Sequence, residues 1–136
     1  MKTVTLLLLA CLGLAGCATL RMDDAGRLAL YQAHAGVPVP QVRYFGNAMG
    51  WERIDDQHVL LQMRPREAWL LRISGPCLDW GGASPTLGLS SRNGLVVARF
   101  DRVVVHGSPV DCRIEEIRPV DMEALRAASR AQPSGT

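Results

Sequence analysis

The chain has 136 residues, of which 48% are hydrophobic and 21% are charged, and its formal net charge is +2. This length fits a single domain, and this composition excludes a chain that is disordered throughout. The near-balance of charge provides no broad basic field, so nucleic acid is not an expected partner.

The first predicted element is an apolar run at residues 4–20, VTLLLLACLGLAGCATL, flanked by Lys2 and Arg21. The run is too uniformly hydrophobic for an amphipathic helix, and its 17 residues lie at the lower edge of what can span a bilayer. A short basic start, a hydrophobic segment and then small residues are typical of a secretory signal. We therefore expect a signal peptide here, with an uncleaved membrane anchor or a soluble segment as the alternatives.

One motif within this run, Leu14-Ala15-Gly16-Cys17, resembles the lipobox of bacterial lipoprotein signal peptides. In such signals the cysteine thiol receives a diacylglyceryl group, and the peptide is then cut on its N-terminal side. Cys11 is a poorer candidate, because the bulky Leu9 lies two residues before it. The resemblance implies lipid on Cys17 and attachment to a membrane through acyl chains. Because Ala18 rather than Asp follows, we expect an outer-membrane anchor facing the periplasm of a Gram-negative bacterium.

The other two cysteines, Cys77 and Cys112, remain as one pair once Cys11 leaves with the signal and Cys17 carries lipid. A disulfide is the default for such a pair in an oxidising compartment. Two unpaired buried thiols are the alternative. A metal pair is weaker still, because neither cysteine has a second Cys or His at ligand spacing.

A short amphipathic helix is predicted over residues 21–36, with Asp23 or Asp24 as its N-cap and Gly36 as its stop. The alternating prolines of residues 37–40 then favour an extended segment. The predicted organisation is a signal peptide at 1–16; a lipidated cysteine, short helix and proline-containing linker at 17–40; a disulfide-tied β domain at 41–120; and a C-terminal helix with a loose tail at 121–136.

Two strands are predicted in the middle of the chain, because apolar and polar residues alternate over 58–64 and over 68–73. This alternation gives each strand one apolar face. Residues 64–67, Arg-Pro-Arg-Glu, join them as a turn with proline at its second position. Upstream, residues 50–54 predict a partner strand that turns back through Asp55-Asp56.

Further strands follow this pair. Asn93-Gly94 lies between apolar runs at 86–90 and 95–100, which predicts a hairpin. Strands follow at 102–106 and 112–117, and the period of the second slips at its two glutamates, which predicts a β-bulge. The prediction is a mainly β, or α+β, fold: about six or seven strands in a small antiparallel sheet curled as a barrel or sandwich, with a short helix near each end.

Several motifs together resemble a family of small, uncharacterised proteobacterial lipoproteins that is defined only as a domain of unknown function. The similarity covers about residues 45–121 and implies the Cys77–Cys112 disulfide and an envelope location. The family supplies no activity, so it assigns no catalytic or binding residue. The motifs are the lipobox, Ala68-Trp69-Leu70-Leu71-Arg72-Ile73 leading to Cys77-Leu78, Leu89-Ser90-Ser91, and Asp111-Cys112-Arg113-Ile114 before Ile117-Arg118-Pro119-Val120.

Catalytic and metal chemistry find little support in the residue pattern. None of the histidines, His34, His58 and His106, has a second histidine at a recurrent metal spacing. Asp55 and Asp56 lie near His58, but such residues in a turn are more often solvated. No catalytic residue, metal site or cofactor is therefore predicted.

The candidate partner-binding residues are Trp80, Trp51 and Arg66. Trp80 lies in a turn-rich loop that the disulfide would tie at one end, where a tryptophan beside arginines suits an interface anchor. The alternative is that Trp80 caps the core. Trp69 lies on the alternating face that indicates the core.

The leading hypothesis is a lipid-anchored periplasmic module with a binding or structural role, which contacts another envelope protein, lipid or peptidoglycan. A small periplasmic hydrolase of cell-wall or lipid substrates is the alternative. That alternative needs His58 or His106 beside a carboxylate in a pocket. A third hypothesis, an inhibitor or assembly factor of an envelope enzyme, differs from the first in its partner.

Overall fold

The structure is a computed structural model that describes residues 22–78, 86–107 and 110–132. The predictions made for the apolar run, for Cys17 and for Trp80 lie outside these residues. No helix in the described ranges is long and apolar enough to cross a membrane. The elements in chain order are α1 (Asp24–Ala33), β1 (Gln41–Arg43), β2 (Gly50–Arg53), β3 (His58–Arg64), β4 (Glu67–Ile73), β5 (Leu87–Leu89), β6 (Leu95–Val97), β7 (Arg102–Val105), β8 (Cys112–Val120) and α2 (Met122–Ala131).

Six strands form one antiparallel sheet in the order β2-β3-β4-β8-β7-β5, and β1 pairs with β6 in a two-stranded sheet. The segment between α1 and β1 runs along β8, where the Val39 N–H donates to the Ile117 carbonyl over 2.8 Å. The Ala98 N–H donates to the Pro40 carbonyl over 2.9 Å, which joins β6 to that segment. The result is a nearly closed, barrel-like sheet with a helix near each end, which confirms the predicted fold class.

The sheet is buried on both faces at β3 and β4. One face lines the barrel interior, where Val59, Leu71 and Ile117 are fully buried. Positions 58–61 of β3 are buried in succession, and so are Leu70 and Leu71 of β4, so the prediction of one apolar face is wrong for both strands. Their second face is buried because both helices pack there, in a cluster that includes Leu28, Leu60, Leu70, Met122 and Leu125.

Both helices begin at an aspartate. The Asp23 side chain accepts a hydrogen bond from the Gly26 N–H over 2.8 Å. Of the two predicted caps, Asp23 and Asp24, the N-cap of α1 is therefore Asp23. The helix ends at Ala33, before the predicted stop at Gly36. The Asp121 side chain accepts hydrogen bonds from two N–H groups in the first turn of α2, as expected for an N-cap.

The turn at Asn93-Gly94 forms as predicted, with φ of 51° and 72°. The hairpin around it does not continue, because β5 pairs with β7 while β6 pairs with β1. The prediction that the two flanking runs pair with each other is therefore wrong. The Val97 N–H, which a hairpin partner would use, donates over 2.7 Å to the buried carboxylate of Asp101.

The β-bulge predicted in the last strand is confirmed. Ile73 lies opposite Ile114 and Arg72 lies opposite Glu116, which leaves Glu115 as the extra residue of β8. The disulfide is confirmed as well: Cys77 and Cys112 are bonded, buried, and have Cα atoms 6.0 Å apart.

Candidate functional site

A groove of about 490 Å³ lies beside the β-bulge of β8. This volume is within the range of small-ligand sites. The floor of the groove is apolar and its rim is charged, which suits a ligand that has both kinds of surface. The floor residues are Val39, Val97, Ala98 and Ile117, the prolines beside them are Pro38 and Pro40, and the rim residues are Arg72, Arg99, Glu115 and Glu116.

Arg99 is the residue of this groove with an unusual backbone. Its φ is 67°, in the left-handed region that a residue with a Cβ adopts at a cost of about 1–3 kcal/mol. Its N–H donates to the Ile114 carbonyl over 2.6 Å, on the strand that carries the bulge. Bulges and left-handed residues occur at sites where a side chain must be aimed, and here the two occur together.

The rim charges differ in their partners. Glu115 accepts a hydrogen bond from the Arg113 guanidinium over 2.8 Å, and Arg72 lies 3.9 Å from Glu116. Among the residues that the structure describes, no carboxylate pairs with the Arg99 guanidinium. Arg99 is therefore the rim cation that is available to an anionic group of a ligand.

The groove was not predicted from the sequence. Its one signal was the slipped period at Glu115-Glu116, which placed the bulge but not the cavity. Arg99 carries no signal, because neither a glycine nor a turn motif marks its position. Its role follows from tertiary structure, since β8 and the 38–40 segment form the groove around it.

The predicted partner-binding residues lie away from this groove. Trp51, on β2, is half-buried and packs against the barrel core. Arg66 is exposed on the turn between β3 and β4, near Arg126 and Arg130 of α2. The structure places Trp51 in a core contact and Arg66 on a basic surface, so it does not bring them together in one pocket. Trp69 packs against the barrel core, as expected.

His58 and Asp55 form a hydrogen-bonded pair in the turn between β2 and β3. His58 Nδ1 lies 2.8 Å from Asp55 Oδ1, which also accepts the Gln57 N–H over 2.7 Å. Burial opposes ionisation of Asp55, but these hydrogen bonds and the His58 charge outweigh it and hold the pKa of Asp55 below its usual value. Beside the pair lies a shallow depression that Asp56 and Pro76 also line.

This pair meets one geometric condition of the hydrolase hypothesis, since a histidine lies beside a carboxylate. In residues 22–78, 86–107 and 110–132, however, no hydroxyl or thiol side chain hydrogen-bonds to His58. The same bonds close the turn that joins β2 to β3. Within the part of the chain described, no group of three or more His, Cys, Asp or Glu residues is placed to hold a metal ion.

The fold and the groove together define a small, disulfide-tied, barrel-like β domain with a helix near each end and an open groove beside the bulge of β8. A model for a family of unknown function (DUF6491) matches residues 1–136, and the chain belongs to this family. The expected resemblance to an uncharacterised family is therefore confirmed at that level. No curated protein and no solved structure matches the chain.

Proposed function

We propose that this protein is a lipid-anchored binding module of the bacterial cell envelope, attached to the outer membrane through Cys17 and facing the periplasm. The Leu14-Ala15-Gly16-Cys17 motif supports the anchor. The buried bond between Cys77 and Cys112 supports an oxidising compartment, where such bonds persist.

The observation that carries the binding role is Arg99 at the groove. Its backbone is held in a costly conformation, and its guanidinium has no carboxylate partner among the described residues. A planar guanidinium binds a carboxylate or phosphate through two parallel hydrogen bonds. The groove therefore suits a ligand or partner segment that has an anionic group next to an apolar one, since the partly exposed Val39 and Val97 line it.

Site-specific crosslinking in living cells tests this role. A photoreactive amino acid replaces Pro38 on the groove wall, and in a matched strain it replaces the exposed Gln32 of α1. We expect a defined adduct from position 38 that is absent from position 32 and is lost when Arg99→Gln is added. Identical adducts from both positions, or a groove adduct that survives Arg99→Gln, would contradict the proposal.

A periplasmic hydrolase is the second candidate, and the 2.8 Å contact between His58 and Asp55 is the observation that favours it. A histidine oriented by a carboxylate can act as a general base. A fluorophosphonate probe that labels the full chain, with labelling lost in His58→Ala, would support this candidate. If the protein is not labelled, the His58–Asp55 pair has only the structural role of closing the turn between β2 and β3.

A further inference from the structure

Charged side chains separate toward the two ends of β3. Five arginines and two glutamates surround the turn from β3 to β4. The turn from β2 to β3 and the start of α1 instead hold five acidic residues and two arginines. We call the first surface the arginine end: Arg43, Arg64, Arg66, Arg126 and Arg130, with Glu67 and Glu123. We call the second the acidic end: Asp23, Asp24, Glu52, Asp55 and Asp56, with Arg27 and Arg53.

The two ends differ in how far their arginines are neutralised. At the acidic end both arginines have carboxylate partners, since Arg27 pairs with Glu52 and Arg53 pairs with Asp56. At the arginine end one pair occurs among the described residues, Arg64 with Glu67 at 3.7 Å. The other four guanidinium groups have no carboxylate partner in the described ranges, so their charge is available to a binding partner: Arg43, Arg66, Arg126 and Arg130.

Two large apolar side chains are exposed in the loop between β1 and β2, and one of them, Phe45, lines a depression together with Arg43 and Arg64. Phe45 is 67% exposed and Met49 is 62% exposed. The Phe45 ring lies against Gly94, where an added Cβ would meet the ring at 2.8 Å. The ring is thus held in place by the Asn93-Gly94 turn while it faces solvent. An exposed, positioned aromatic next to arginines has the composition of the centre of a protein interface.

We propose that the arginine end, together with Phe45 and Met49, is the docking surface for an acidic protein segment that also carries apolar side chains. Carboxylates would pair with the free guanidinium groups, and an apolar side chain would cover Phe45. The choice of a protein over the anchoring membrane rests on the proposed function. Asp24 pairs with Arg53 at the acidic end, so α1 starts at the end opposite to the arginines.

Binding of labelled polymers to the purified full chain in a neutral detergent tests the proposal. The probes are poly-glutamate and a random copolymer of glutamate and tyrosine. Arg66→Gln/Arg126→Gln should weaken both about tenfold, and Phe45→Ser should weaken the copolymer about tenfold while poly-glutamate binding stays unchanged. Arg102→Gln, which removes one exposed arginine from β7, is the matched control and should change either Kd by less than about twofold.

Three outcomes would overturn the proposal. One is a weakening per arginine removed that is the same for Arg66→Gln/Arg126→Gln as for Arg102→Gln, which would mean that general charge attracts the probe. Another is copolymer binding that is unaffected by Phe45→Ser. The third is binding of a soluble short-chain phosphatidylglycerol that is lost in Arg66→Gln/Arg126→Gln while copolymer binding is retained, which would make a membrane the occupant. Failure of lipid attachment to Cys17 would overturn the anchor without altering these affinities, so the two failures are distinguishable.

Discussion

Arg99 donates its backbone N–H to the carbonyl oxygen of Ile114 over 2.6 Å from a left-handed conformation. Ile114 is fully buried, and the residue after it, Glu115, is the extra residue of the β-bulge. A buried strand therefore holds the backbone of Arg99 in a conformation that arginine does not prefer by itself. The strain at the groove is maintained by tertiary contacts.

Arg99→Gly should stabilise the protein. Glycine adopts positive φ without strain, so the free energy of unfolding should rise by about 1 kcal/mol after the larger backbone entropy of glycine in the unfolded chain is subtracted. Urea denaturation measures the change. Arg99→Ala keeps the strain and should leave the stability within about 0.5 kcal/mol. Equal stability of the glycine and alanine variants would contradict a strained backbone at this position.

Removal of the disulfide should destabilise the domain strongly. The bond joins residues 35 positions apart, and the chain-entropy estimate for such a loop is about 4 kcal/mol. Cys77→Ala/Cys112→Ala should lower the urea midpoint accordingly, and a reductant should lower the midpoint of the parent but not of the variant. A fully reduced parent with an unchanged midpoint would argue against this role.

Acid should weaken the turn between β2 and β3 through Asp55. The folded state holds the pKa of Asp55 below its ordinary value of 3.8, because the Gln57 and His58 contacts outweigh burial. The resulting stabilisation is present above the ordinary pKa and is lost as pH falls through the lowered one. As pH falls through this range, the free energy of unfolding of Asp55→Asn should therefore decrease less steeply than that of the parent protein. Parallel pH profiles for the two proteins would exclude the contribution.

Alkali should act through Tyr31. Burial, followed by the hydrogen bond and charge of Glu52, raises the pKa of Tyr31 from 10.0 to about 12. The hydroxyl donates to Glu52 Oε2 over 2.8 Å. The linked stabilisation is present below pH 10.0 and disappears as pH rises through about 12. Tyr31→Phe should cost about 1 kcal/mol at neutral pH and flatten the alkaline stability profile. An absorbance titration of the tyrosines should show a transition near pH 12 in the parent protein that is missing from Tyr31→Phe.

Local features of this fold were predictable from the sequence. The aspartate cap of α1 and the turn at 64–67 each depend on a few neighbouring residues, and so does the left-handed Asn93-Gly94 turn. The bulge at Glu115 was visible because an extra residue shifts every later side chain of the strand to the other face. The disulfide followed from cysteine count and compartment.

Features that depend on distant parts of the chain were not predictable. The strands on either side of Asn93-Gly94 separate because the Asp101 carboxylate takes the Val97 N–H. Leu60 lies on the face of β3 that the predicted alternation makes polar, and it is buried because helices from both ends of the chain cover that face. In the sequence, Arg99 cannot be distinguished from an ordinary surface arginine, because the groove around it is formed by β8 and residues 38–40, which come from other parts of the chain.

Lipid attachment tests the central claim most directly. Cells expressing the full chain are fed an alkyne fatty acid, and the protein is compared with its Cys17→Ser and Cys11→Ser variants. The proposed function predicts label on the parent and on Cys11→Ser, with none on Cys17→Ser. An unlabelled parent, or label that survives Cys17→Ser, would contradict a protein anchored to the envelope through this cysteine.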